Sequence, residues 1–191
     1  ELRQLVMNQD RAGLYGYGGV QYRGRSGQWA VFATDDRGPV GGEVSRFELF
    51  YRQHPTGGHV RLTIDDGEPT VLDTEGEERD AFHVVEVPEG AHQLGLKLVG
   101  HGQSRLYGVV LERDGPGVVY DSLGLVGARA RRLLNFERAH VARQIAHRDP
   151  DLVVLGFGGN DADDPVIDPE RYERQFVHVI RRMRGPARQR A

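Results

Sequence analysis

The 191-residue chain has no cysteine, a single lysine (Lys97), a single tryptophan (Trp29) and two methionines. Without cysteine there is no disulfide, no thiolate metal site and no cysteine nucleophile; the compartment stays open, since exported proteins can also lack cysteine. Arginine supplies every other basic residue, a bias read as that of a GC-rich genome rather than a binding device. The net charge of −3 gives no global electrostatic case for nucleic acid. No apolar run is long enough to span a bilayer, and no signal peptide is recognisable. The chain opens on Glu1 rather than Met, which reads as a processed or excised piece, so a missing signal says little about export.

What is present divides in two. Residues 1–15 are a short lead-in, with Leu2, Leu5 and Val6 at roughly helical spacing. Residues 16–112 read as β. Gln28–Thr34 is rich in aromatic and β-branched residues, Arg46–Arg52 alternates, and His59–Ile64 sets Val60, Leu62 and Ile64 on one face. Asp65-Asp66-Gly67 is a turn signal that lets Glu68–Leu72 return as a hairpin partner. Ala81–Val87, Gln93–Val99 and Leu106–Glu112 follow. Short alternating strands with one buried face each predict an antiparallel β-sandwich.

From residue 113 to 191 the period changes. Val118–Tyr120 reads as a short strand. Ala128–His147 reads as helix in one or two pieces, with Leu133, Leu134, Val141 and Ile145 inward and Asn135 as a candidate cap. Asp149-Pro150 stops it. Leu152–Leu155, an unbroken apolar run, predicts a strand buried on both faces. Asp168 and Pro169 open a last helix whose apolar face is Tyr172, Phe176, Val179, Ile180 and Met183. Strand–helix–strand–helix predicts parallel pairing. The expected class is α+β overall: a carbohydrate-binding-module-like β-sandwich followed by a partial, three-layer, flavodoxin-like α/β parallel-sheet segment.

Two glycine-bearing loops should leave the carboxyl ends of those strands, where open α/β sheets bind ligands. One ends at Gly127 and the other at Asn160, with one helix and one strand between them. Side by side, the Gly127 N–H and the Asn160 amide can face one oxygen, as an oxyanion hole requires. Glycine adds no β-carbon to obstruct the approach, and asparagine donates while staying neutral.

Two segments carry a family resemblance. Val119-Tyr-Asp-Ser-Leu-Gly-Leu-Val-Gly-Ala-Arg-Ala130 resembles the second conserved block of SGNH (GDSL-like) esterases and lipases. Leu152-Val-Val-Leu-Gly-Phe-Gly-Gly-Asn-Asp161 resembles their third. The layout is closest to peptidoglycan O-acetylesterase-like members, in which a β-sandwich is inserted after the first block. The resemblance implies that Gly127 and Asn160 are oxyanion donors in a serine esterase acting on acetylated carbohydrate or peptidoglycan-like substrate. It also implies a periplasmic or extracytoplasmic setting and a bacterial source. The family's Gly-Asp-Ser block and Asp-x-x-His block are absent from these residues. The missing catalytic elements would then lie on absent segments, and the isolated chain is expected to be inactive. Ser122, in Asp121-Ser122-Leu123, is the one candidate nucleophile, but too little chain separates it from Asn160 for the family's usual order.

No cofactor, metal, nucleic acid or transmembrane segment is expected. His140 and His147 read as surface histidines of a helix, and His54 and His59 as loop residues. Asp161, Asp163 and Asp164 read as serving a loop and helix start rather than a cation. The arginines between Arg171 and Arg190 read as a solvated face and tail. Trp29, Tyr22 and Tyr51 are possible glycan-stacking residues, with core packing the default. The rival to the esterase is a non-catalytic carbohydrate-binding sandwich with a degenerate α/β remnant.

Overall fold

A computed structural model describes residues 3–6, 14–35, 37–163 and 168–184. They form two compact units: Glu1–Gln4 with Gln21–Asp121, and Leu5–Val20 with Ser122–Ala191.

The first unit is two antiparallel sheets. One is ordered β1 (Arg3–Val6), β2 (Val20–Gly24), β9 (Ser104–Glu112), β4 (Val44–Gln53), β7 (Arg79–Gly90). The other is ordered β3 (Trp29–Ala33), β8 (Gln93–Val99), β5 (His59–Ile64), β6 (Thr70–Asp73). The alternation of β5 and β8 sets their inner faces: Val60 is opposite Leu98, Leu62 opposite Leu96, and Ile64 opposite Leu94. These meet Phe47, Leu49, Tyr51 and Leu106 of the other sheet in one apolar core. The Asp65-Asp66-Gly67 turn closes the β5–β6 hairpin, with the Gly67 N–H donating to the Ile64 carbonyl. Two departures from the sequence reading are β1, a strand where helical spacing was noted, and β2, which was not anticipated.

One end of the sandwich is a knot of backbone hydrogen bonds. The His54 N–H donates to Thr74 O, and Thr74 returns both its N–H and its hydroxyl to Gly58 O. The buried His54 ring bonds Gln103 O through Nε2 and the Thr56 hydroxyl through Nδ1. Gly102 lies at φ +89°, and a β-carbon there would fall 2.1 Å from Gly57 O.

Across β4, β7 and β9 runs a buried polar cluster. Asp80 Oδ1 accepts from Arg52 at 3.2 Å and from the Tyr107 hydroxyl at 3.0 Å. Arg52 also reaches Glu78 at 3.3 Å. The β4–β9 register shifts between Phe50 and Tyr51, leaving Tyr107 as the extra residue of a bulge. Burial, with the Asp80 charge second, holds the Tyr107 hydroxyl protonated far above its ordinary range.

The second unit is helical. A 3₁₀ helix (Ala130–Asn135) leads to α1 (Arg138–Arg148), α2 (Gly159–Ala162) and α3 (Pro169–Met183). Asp168 caps α3 through the N–H groups of Glu170 and Arg171, with Pro169 in the first turn, as the sequence predicts. The cap of α1 is Glu137, not Asn135: its carboxylate accepts from the N–H groups of Ala139 and His140. Those bonds, the Ala139 one first, hold the Glu137 carboxyl below its usual range.

The parallel sheet expected from the sequence is not formed among the described residues. Among the described residues neither Val118–Tyr120 nor Leu152–Leu155 belongs to a strand. A parallel strand needs a hydrogen-bonded neighbour on at least one side, and no described residue supplies one. Leu152 and Val154 are each 77 % exposed, so the run expected to be buried on both faces lies open. Leu155 alone of the run packs against the helical core.

Candidate functional site

The second unit's core is Tyr15, Ala128, Leu133, Phe136, Val141 and Val179. Tyr15 meets Phe136 edge-on at 5.5 Å. Its carbonyl accepts from Nε2 of His140. His140 is therefore fully buried and structural, a correction to its reading as a surface residue. Arg182 of α3 donates to the carbonyls of Leu134 and Phe136, fastening α3 to the end of the 3₁₀ helix.

This core brings the two glycine loops together. The first is a turn in which the Ala128 N–H donates to Leu125 O at 3.1 Å. Gly127 occupies its third position at φ +72°, a conformation that favours glycine. The turn's own hydrogen bond does not engage the Gly127 N–H, and a β-carbon at Gly127 would meet nothing within 4 Å. The second loop passes Gly158 (φ +128°) into α2.

Two hydrogen bonds join the loops. Asn160 Nδ2 donates to Ala128 O at 3.0 Å. The buried Asp161 accepts from the Ala130 N–H at 3.3 Å, satisfying a donor that the start of the 3₁₀ helix leaves open. Sequence reasoning missed this role for Asp161; the signal available was its place directly after Asn160. A side-chain amide has two N–H groups. The bond to Ala128 uses one and holds the amide beside Gly127, leaving the second N–H outside that bond.

The other candidates are dispersed. Ser122 is exposed, and no hydrogen bond of the described residues joins it to a histidine. His147 and His178 are exposed. Asp163 is exposed too, and Asp164 lies outside the described residues. Among the described residues no three metal-capable side chains cluster. Of the arginine run, Arg171–Arg184 is described, with Arg182 partly buried; Arg188 and Arg190 lie outside. In the sandwich, Tyr51 is a core residue and Tyr22 packs beside the core. Trp29 corrects the default reading: it is 70 % exposed.

No family model and no curated protein matches the chain. Solved structures do. A peptidoglycan O-acetylesterase aligns over 96 % of this chain at TM-score 0.68 and 19 % identity. The match takes in 48 % of that enzyme, so the chain spans about half of its length. At that identity the likeness is one of fold: a two-sheet antiparallel module with an accompanying helical segment. A family 35 carbohydrate-binding module from Clostridium thermocellum aligns over 58 % of this chain and 87 % of its own, at 12 % identity and TM-score 0.38. A family 6 module from Clostridium stercorarium aligns over 59 % and 82 %, at 12 % identity and 0.37.

Proposed function

We propose that these residues are the middle of an SGNH-type serine esterase that removes O-acetyl groups from carbohydrate or peptidoglycan. The observation that carries the reading is the Asn160–Ala128 hydrogen bond, which sets the Asn160 amide one residue from Gly127. In the reaction, a serine activated by a histidine attacks the acetyl carbonyl. The Gly127 N–H and the second Asn160 N–H receive the developing oxyanion. The alcohol leaves, and water then releases acetate from the acetyl-enzyme. Gly127 and Asn160 serve the transition state, while the nucleophile and base come from outside the residues assigned here. Ser122 is the weaker candidate for the nucleophile, because no histidine bonds to it.

The test is acetate release from O-acetylated peptidoglycan by the protein that carries this segment. Asn160→Ala should lower turnover roughly 10²–10³-fold, the usual loss for one oxyanion donor, with its far-UV spectrum unchanged. Near-normal turnover would overturn the assignment. Ser122→Ala should leave turnover intact; its loss would make Ser122 the nucleophile. Assayed alone on p-nitrophenyl acetate, the 191-residue chain should release no product above background.

One observation favours the rival, a non-catalytic glycan-binding protein: the exposed Trp29 on the sandwich. Saccharide binding without hydrolysis by the full protein would select it.

A further inference from the structure

The outer face of the β3-β8-β5-β6 sheet is ordered in rows by its register. Trp29 pairs with Lys97, Lys97 with Arg61, and Arg61 with Val71. Directly paired residues share a face, so these four side chains form one line across the sheet, with strands spaced about 4.8 Å apart. All four are exposed. Two residues along, the next row is Val31, Gly95 and Thr63.

Three features separate this face from an ordinary solvated one. First, it displays the chain's single tryptophan beside its single lysine, with an arginine next in line. Among the described residues, neither Lys97 nor Arg61 forms an ion pair. The acid on the regular register of this face is Asp73, which lies 3.6 Å from His59 in the neighbouring row. Second, Gly95 is required neither by backbone conformation nor by packing. Its φ is not positive, and a β-carbon there would sit 3.5 Å from Thr63 O, an ordinary contact. What glycine provides is an open floor between Val31 and Thr63, one row along from Trp29. Third, the Thr63 side chain borders that floor, its β-carbon 3.8 Å from where a Gly95 β-carbon would lie.

We infer that this face binds an anionic saccharide: a pyranose ring stacks on Trp29 while its carboxylates meet Lys97 and Arg61. An indole offers a broad apolar plane to the axial hydrogens of a sugar. The two cations in line select for acid by charge complementarity. The inference rests on the glycan-directed reading common to both proposals above and is independent of the oxyanion site.

Because Trp29 is the only tryptophan, its emission reports this face alone. The probe is polygalacturonate, with fully methyl-esterified polygalacturonate as the uncharged match. Titrating the full chain with polygalacturonate should shift tryptophan emission saturably to shorter wavelength, and the effect should weaken as salt rises. Lys97→Gln and Arg61→Gln should each weaken binding about 10-fold, the worth of one charge-assisted hydrogen bond. Trp29→Ala should abolish binding by calorimetry. All three side chains are exposed, so circular dichroism should be unchanged. Equal binding of the methyl ester would overturn the acidic specificity while leaving glycan binding at Trp29. No response to either polymer would overturn both. A blue shift that follows protein concentration without polymer would assign the face to a second copy of the chain and overturn the proposal.

Discussion

Removing Asp80 should be among the most damaging single changes in the sandwich. Its carboxylate is buried and is the shared acceptor of Arg52 and Tyr107. Asp80→Ala leaves the buried Arg52 guanidinium with Glu78, a carboxylate more than half exposed, and leaves the Tyr107 hydroxyl without that acceptor. Removing one partner of a buried ion pair costs about 3–5 kcal/mol, chiefly through the stranded charge. Tyr107→Phe keeps the pair and should cost only about 1 kcal/mol. If the loss in Asp80→Ala is an uncompensated charge, deleting the whole cluster should restore stability. The triple variant Arg52→Met, Asp80→Leu, Tyr107→Phe should then exceed Asp80→Ala by about 3–5 kcal/mol, the cost of the stranded charge. Urea unfolding followed by far-UV circular dichroism at pH 7 reads all three. A cost under 1 kcal/mol for Asp80→Ala, or a triple variant no more stable than the single one, would refute the reasoning.

Further expectations concern other parts of the molecule. Burial, with the Arg105 charge second, depresses the His54 pKa. The folded state therefore keeps the ring neutral where the unfolded chain protonates it. Stability should be full above about pH 6.5 and fall below it by up to about 1.4 kcal/mol per pH unit; a melting temperature unchanged between pH 7.5 and 5.5 would contradict this. His92 has the opposite sense, its pKa raised by Asp65 at 2.8 Å. That pair stabilises below the ordinary histidine range and is lost as pH rises through the raised value, so His92→Gln should flatten the alkaline side of the melting curve. Gly102→Ala should cost about 2–5 kcal/mol, from positive φ and overlap with Gly57 O. Gly117→Ala, with open space and no positive φ, should be near neutral in the same urea assay. Leu152→Gln with Val154→Gln should reduce binding of a hydrophobic dye and leave the melting temperature unchanged, because both side chains are already exposed.

The sandwich was largely legible because its information is local. Val60, Leu62 and Ile64 alternate, and Asp65-Asp66-Gly67 must turn. Strand β2 escaped because Gln21 is polar yet fully buried, which breaks the alternation a reader looks for. In β3 the sequence could not choose a face: Trp29 and Val31 are as apolar as Ala30 and Phe32. Register decides it, seating Ala30 and Phe32 against the core and Trp29 outward. Leu152–Leu155 shows the converse limit. Composition signals a strand, but a strand exists only through its neighbours. For the candidate site, the sequence offers Gly127 and Asn160 only as residue types in two loops. The Asp161–Ala130 bond was not legible, because it depends on how two loops 31 residues apart meet.

The pairing of β2 with β9 has one further consequence. Tyr22 lies opposite Leu106 and Gly24 opposite Ser104, so the first unit's main segment enters and leaves through adjacent strands. The second unit is correspondingly split, Leu5–Val20 before and Ser122–Ala191 after. Neighbouring ends of this kind are what allow one domain to be spliced into another's loop with little strain. The same geometry makes the sandwich portable. Cut out at its two ends, it should fold as a free module, and its ends rejoined by a short linker should tolerate new termini at the Asp65-Asp66-Gly67 turn.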